Sequence, residues 1–332
     1  MQNFKRTVVV VLIICMLGAP LFGFAFSDGG ITTRELPPRI EGLNISGEVP
    51  ILTAAAGSFY EDVNERIDAS FNSLLSEARR MRARSVAFSF EAYQVDNIIS
   101  LVIEARVSSV ISRTLVRSIN FCSRTGRSLT LRNSMEIDIV PLASRILAEN
   151  MRRNPEHFYS IPATLDYQSF FVTSLGVTIL FDEFQLSAAV SGVTALEILN
   201  ENVRRAVITG EQALSRENGY TLVMVPLGTV ATQLGFETDW DSEKQRAAIL
   251  DNSGEVAWML IGVNSYHTPT AQRTLESAPY LVGSSTFVPI TFFTQVFPVT
   301  VYSITPDGDI VFLTYAETVA INNNLEELDQ MH

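Results

Sequence analysis

Cysteine and histidine are scarce. The 332 residues include two cysteines, Cys15 and Cys122, and three histidines, His157, His267 and His332, which stand far apart. A product cleaved beyond residue 15 forms no internal disulfide, so its stability must come from packing. No histidine has a second His or Cys at ligand spacing, which argues against a structural metal site, and a copper centre needs clustered imidazoles. A Gly-x-Ser-x-Gly elbow, a phosphate-cradling glycine loop and a Ser-x-x-Lys set are also missing, so the familiar nucleophile signatures fail. Carboxylate pairs are common, but nothing nominates one for glycoside hydrolysis. The sequence therefore predicts no catalytic residue, no metal and no cofactor. Cys122 reads as a small buried apolar residue in a strand.

Apolar residues make up 47% and charged residues 18% of the chain, which excludes a disordered polymer and leaves room for two domains with their own cores. Lys5 and Arg6 precede an apolar run over residues 7–24, and Ala25, Phe26 and Ser27 offer a small-residue cleavage site. Export with cleavage after Ser27 is expected. The competing reading is an uncleaved anchor, since at about 1.5 Å per residue the run is long enough to span a bilayer. Gly18, Pro20 and Gly23 favour cleavage, and Ile14 before Cys15 disfavours a lipoprotein.

The formal charge of −12 becomes −14 once Lys5 and Arg6 are removed, which argues against nucleic acid as a partner. The charge is also unevenly placed. Residues 66–153 hold 14 Arg, no Lys and 8 acidic residues, a net of +6, whereas residues 206–332 hold 4 basic and 15 acidic residues, a net of −11. Opposite signs point to separate domains with different neighbours.

Residues 28–38 carry Gly29-Gly30 and Pro37-Pro38 with little periodicity and read as a linker, leading to an edge strand near residues 39–45. Ser58 and Glu61 form a capping box for a helix whose apolar residues Phe59, Val63, Ile67, Phe71, Leu74, Leu75 and Ala78 recur at three- and four-residue spacing. Strands are expected over residues 86–93 and 98–112, and a hairpin over 118–131 with its turn at residues 124–127, giving an antiparallel sheet. A second helix is expected from about Asp138 to Arg153, followed by a hairpin turning at residues 174–176. Further on, Val225-Pro226-Leu227 with Val230 and Leu234 recurs as Val288-Pro289-Ile290 with Phe293 and Phe297, an offset of 63 residues. This spacing indicates an internally duplicated domain, each proline sitting where a strand gives way to a short helix.

Val225-Pro226-Leu227, Leu234-Gly235, Trp240-Asp241 and Val288-Pro289, with Ile261-Gly262 and Ala278-Pro279 between them, resemble the N-terminal-like stalk domain of copper amine oxidases, a pattern that recurs in bacterial cell-surface proteins. Gly228 and Thr291 stand where a basic residue often follows the Val-Pro-Leu element. The resemblance implies a small accessory α+β module and implies neither copper nor amine oxidation. Residues 118–121, 125–127, 129–131, 170–173 and 176–181 resemble the paired extracytoplasmic domains of the lysozyme-sensing anti-sigma-V factor and of a peptidoglycan deacetylase, which implies a sensor-like region.

The expected fold is α+β: an antiparallel sheet with packed helices, followed by the duplicated stalk-like domain. The divisions are a leader at 1–27, a linker at 28–38, a sensor-like region at 39–205 with subregions at about 39–135 and 136–205, the stalk-like domain at 206–316 and a solvated acidic tail at 317–332. Asp239, Asp241 and Glu243 around Trp240 invite a cation reading, but a solvated hairpin with the tryptophan packed inward is favoured. Arg79, Arg80, Arg82 and Arg84 gather at the end of the first helix, where cations complement its dipole. They also suit an anion-binding patch for phosphate- or carboxylate-rich wall polymers. The sequence thus predicts a non-catalytic binding or sensing protein of the bacterial envelope, with the stalk-like domain as spacer. Its expected partner is a cell-wall polymer or an envelope protein, with membrane contact only through the N-terminal segment. A wall-modifying enzyme or its accessory subunit, and a purely structural component, are the rival readings.

Overall fold

The computed structural model describes residues 25–26, 29–40, 42–54, 59–153, 155, 162–186, 192–217 and 221–315. Ser27 at the expected cleavage point, Ser58 of the capping box, His157 and the tail from residue 317, with His332, lie outside them. The chain divides into two compact units, the first ending at Asn200 and the second beginning at Glu201. The fold is α+β, with sheets that are mostly antiparallel.

The first unit opens with β1 (Ala25–Phe26), β2 (Gly29–Glu35), β3 (Arg39–Ile40), β4 (Leu43–Ala54), α1 (Tyr60–Arg80), β5 (Ser85–Val95), β6 (Ile98–Ser108) and β7 (Arg113–Cys122). These strands form a seven-stranded sheet in the order β1-β2-β4-β5-β6-β7, with β3 on β4. The expected linker at 28–38 is therefore corrected: β2 runs antiparallel along β4 from Gly29 opposite Ala54 to Glu35 opposite Glu48. It lacks an alternating apolar pattern because its place is fixed by backbone pairing. The expected edge strand near residues 39–45 is split: β3 pairs with β4 alone and lies at an edge, whereas from Leu43 the chain runs in β4, inside the sheet.

One pairing in this sheet is parallel. β4 and β5 run side by side from Asn44 opposite Ser85 to Gly47 opposite Phe88, joined through α1 as crossover helix. Gly47 has φ +92, and a Cβ there would lie 1.9 Å from the Phe88 carbonyl oxygen. Only glycine fits. Past Gly47 the strands part, and Asn64 of α1 takes over: its Nδ2 donates to the Leu52 carbonyl and its Oδ1 accepts from the Leu52 N–H, both at 2.9 Å. Val63, Ile67, Phe71, Leu74, Leu75 and Ala78 bury one stripe of α1 against Val86, Phe88, Ile99, Leu101, Ile103 and Leu115. Burial of each large aliphatic or aromatic side chain stabilises by about 1.5–3 kcal/mol, so this stripe holds the helix in place.

The hairpin expected at 118–131 shrinks on its return side to a single bridge, Phe121 to Ser128. A 3-10 turn, Leu131–Asn133, follows, with the Thr130 N–H donating to Asn133 Oδ1 at 2.7 Å. The tight loop is closed by Gly126 N–H to Cys122 O at 2.8 Å, which leaves Cys122 partly exposed where burial was expected.

Beyond it come α2 (Val140–Arg153), β8 (Ser169–Thr173), β9 (Gly176–Phe181) and β10 (Thr194–Leu199). Asp138 Oδ1 caps α2 by accepting from the Val140 N–H at 3.0 Å. The β10-β9-β8 sheet covers β6 and β7 on the side away from α1, where Val102 and Val116 meet Phe171 and Leu180. Polar side chains fix the crossing. Ser100 and Ser118 accept from the Val172 and Phe170 N–H groups at 3.1 and 2.9 Å, and Asn120 Nδ2 donates to the Phe170 carbonyl at 3.0 Å. The two expected subregions are therefore one packed unit.

The second unit contains β11 (Val203–Ile208), β12 (Leu214–Glu217), β13 (Thr221–Pro226), α3 (Leu227–Gln233), β14 (Glu237–Asp241), β15 (Arg246–Asp251), β16 (Gly254–Leu260), β17 (Ser265–Thr268) and β18 (Ala271–Thr274). It ends with β19 (Tyr280–Val282), β20 (Ser285–Pro289), α4 (Thr291–Val296), β21 (Val301–Ile304) and β22 (Ile310–Tyr315). Because β11 belongs to this unit, the expected division between 205 and 206 moves to 200/201.

The duplication is built around one pair of valines. Val225 of β13 lies opposite Val288 of β20, flanked by Met224 with Pro289 and Pro226 with Phe287, so the two copies face each other across an approximate two-fold axis. The run β12-β13-α3-β14-β15 recurs as β19-β20-α4-β21-β22. The strand before the first copy crosses to the second, β11 pairing with β22, while β16 continues from β15 and leads through β17 and β18 to the second copy. Val225, Leu227, Val288, Phe292, Phe293 and Phe312 are buried in the shared core. Val203 lies opposite Tyr315. The first strand of this unit therefore begins beside the end of its last strand.

Candidate functional site

The arginine cluster sits where α1 turns into β5. The Ala83 N–H donates to Ala78 O at 3.0 Å and the Arg82 N–H to Arg79 O at 2.8 Å, the two bonds of a Schellman ending. That ending needs a left-handed residue, and Arg82 supplies it with φ 54. Glycine is the usual occupant, because a Cβ makes this conformation costly. Arg84 then joins the sheet, its N–H donating to Ser108 O at 2.8 Å and its carbonyl accepting from the Asn44 N–H at 3.3 Å. Arg79, Arg80, Arg82 and Arg84 are all exposed. The turn brings them together at one end of the sheet.

Arg113 and Arg117 of β7 serve the fold. Glu77 of α1 meets Arg113 through Oε1 and Arg117 through Oε2, both at 2.8 Å, and Arg117 also reaches Asp182 at 3.1 Å. This network ties helix, sheet and the segment after β9.

Trp240, expected to pack inward, is 40% exposed because it lies on β14, the edge strand of its sheet. Asp241 is a turn residue: its Oδ1 accepts from the Glu243 and Lys244 N–H groups at 3.1 and 3.0 Å, and its Oδ2 pairs with Lys244 Nζ at 3.1 Å. Hydrogen bonds from Lys244, led by its backbone N–H, hold the Asp241 carboxyl below the usual range. Among the described residues no three His, Cys, Asp or Glu side chains gather as metal ligands do. Of the motif residues, Pro226 ends β13 and precedes α3, while Gly235, at φ +87 after Leu234, ends that helix. Pro289 ends β20 ahead of α4.

Two features escape a reading by periodicity. Trp258 stacks on His267 with ring centroids 3.9 Å apart, and the Arg246 guanidinium lies 4.7 Å from the Trp258 centroid. Arg246 comes from β15 and His267 from β17, the two neighbours of β16, so both faces of the indole are covered. Alternation in β15 and β16 places these residues on the outward face. The other feature is the β6–β7 loop. The strand expected to reach residue 112 stops at Ser108, leaving Val110 100% and Ile111 67% exposed. The serines at 108, 109 and 112 were the signal for a turn. Cys122 has its thiol pKa lowered by the Thr125 hydroxyl and then by the Arg124 backbone N–H.

Residues 208–310 match the copper amine oxidase N-terminal domain family. A Brevibacillus choshinensis protein named "Protease inhibitor" is 29% identical over 114 residues, covering 32% of this chain and 34% of its own length. The chain thus spans about a third of that relative. Two solved DUF3298 family structures are also similar. One, from Bacteroides fragilis, has a TM-score of 0.35 at 10% identity and covers 52% of this chain and 91% of its own. The other, from Pseudomonas aeruginosa, has a TM-score of 0.32 at 13% identity and covers 52% and 88%. No helix among the described residues is long and apolar enough to cross a membrane.

Proposed function

We propose that this chain is a non-catalytic, extracytoplasmic binding protein of the bacterial envelope that recognises an anionic wall polymer through Arg79, Arg80, Arg82 and Arg84. The carrying observation is Arg82. A residue with a long cationic side chain occupies the left-handed position that glycine fills at lower cost, and it completes a group of exposed guanidiniums. Backbone strain of this kind concentrates at functional sites, and guanidinium forks pair with phosphate and carboxylate alike. The second unit is an accessory module. Its similarity to the copper amine oxidase N-terminal domain, and the name of the Brevibacillus relative, favour binding over turnover.

The test is retention on purified wall polymer. The wild-type chain should be held and released by salt, and a variant with all four arginines changed to glutamate should pass through. Equal, salt-insensitive retention of both proteins would sink the proposal, and release of cleaved polymer would replace it with an enzymatic reading.

A further inference from the structure

The arginine end also carries an apolar tip. Ser85 pairs with Ser108 and the Arg84 N–H donates to Ser108 O, so the β6–β7 loop bearing Val110 and Ile111 lies beside Arg82 and Arg84. The exposed Arg39 belongs to the same end, opposite Asn44, whose N–H donates to Arg84 O. Glu77 is held by Arg113 and Arg117, Asp182 by Arg117 and the Val116 N–H, and Glu183 by the Thr114 N–H.

Turn tips favour Gly, Asn, Asp, Pro and Ser, so consecutive β-branched apolar residues, one of them fully exposed, contradict the local chemistry. An anionic polymer accounts for the guanidiniums but offers no place for these side chains. A bilayer surface accounts for both, with phosphates for the arginines and the headgroup–acyl boundary for Val110 and Ile111.

We infer that this end docks on an anionic lipid surface, with Val110 and Ile111 entering the interface and Arg39, Arg79, Arg80, Arg82 and Arg84 holding the headgroups. The inference rests on the anion-binding reading above and names a lipid as the partner.

The chain from residue 28, as left by the expected cleavage, is sedimented with vesicles of equimolar phosphatidylglycerol and phosphatidylcholine, and with phosphatidylcholine alone. Binding should require the anionic lipid and weaken with salt. A variant joining Val110→Ser and Ile111→Ser should bind roughly tenfold more weakly while keeping the wild-type far-UV dichroism. An Ile111→Trp variant should be quenched by vesicles brominated on their acyl chains beyond the quenching of wild type. Wild-type affinity in the serine variant, or no added quenching at position 111, overturns the inference. Retention on wall polymer without vesicle binding removes the lipid and leaves the anion-binding reading standing, whereas loss of both removes both.

Discussion

Glu183 pairs with Thr114 as a neighbouring strand would: its N–H donates to the Thr114 carbonyl at 2.9 Å while its carboxylate Oε2 accepts from the Thr114 N–H at 2.6 Å. Asp182 Oδ1 accepts from a second N–H of the same strand, that of Val116, at 2.6 Å. β7 is the last strand of its sheet, and these two carboxylates cover an edge that would otherwise be open to another chain. Glu183→Ala should leave the Thr114 N–H without its acceptor and cost about 1–3 kcal/mol, read as a lower urea midpoint. An unchanged midpoint would show that water replaces the carboxylate at no cost.

Arg82→Gly should separate stability from binding. Removing the left-handed Cβ should stabilise the chain by up to about 1 kcal/mol, visible as a raised melting temperature. The same change should lower the salt needed to elute the protein from an anionic polymer. A stabilised variant that binds as wild type would assign the other arginines the whole role.

Glu149 should make the first unit sensitive to acid. Hydrogen bonding from Arg152 is the main cause of its lowered pKa, burial opposes it, and Arg153 adds to the lowering. A carboxyl whose folded pKa is depressed contributes stability that is fully present above its unfolded value of about 4.3 and is lost as pH falls through the folded value. Glu149→Gln should therefore be less stable than wild type near neutrality, and the difference should vanish in strong acid. A difference that persists in acid would point to packing instead of charge.

The sequence revealed elements that carry their own period and concealed those defined by a distant partner. The apolar stripe of α1 and the 63-residue recurrence of Val225 and Val288 needed no structure to be seen. β2 was read as a linker because its Gly-Gly-Ile-Thr-Thr-Arg-Glu run has no alternation and is ordered by β4. Ser100, Ser118 and Asn120 look like surface residues in sequence, yet they receive the backbone of β8. In the candidate site the four arginines were legible as a group. Arg82's left-handed backbone was not, because only the Schellman ending demands it. Val110 and Ile111 passed for strand residues since β-branched side chains are strand formers, and only the early stop of β6 makes them a tip.

The pairing of Val203 with Tyr315 bears on how the second unit responds to tension. A pull applied through its two ends acts across β11 and β22 at their open end, so their hydrogen bonds break in sequence like a zipper, and the load is never shared along the strands. Such a module yields early under force, and because β11 lies on the last strand of the second copy, opening that seam exposes the shared core.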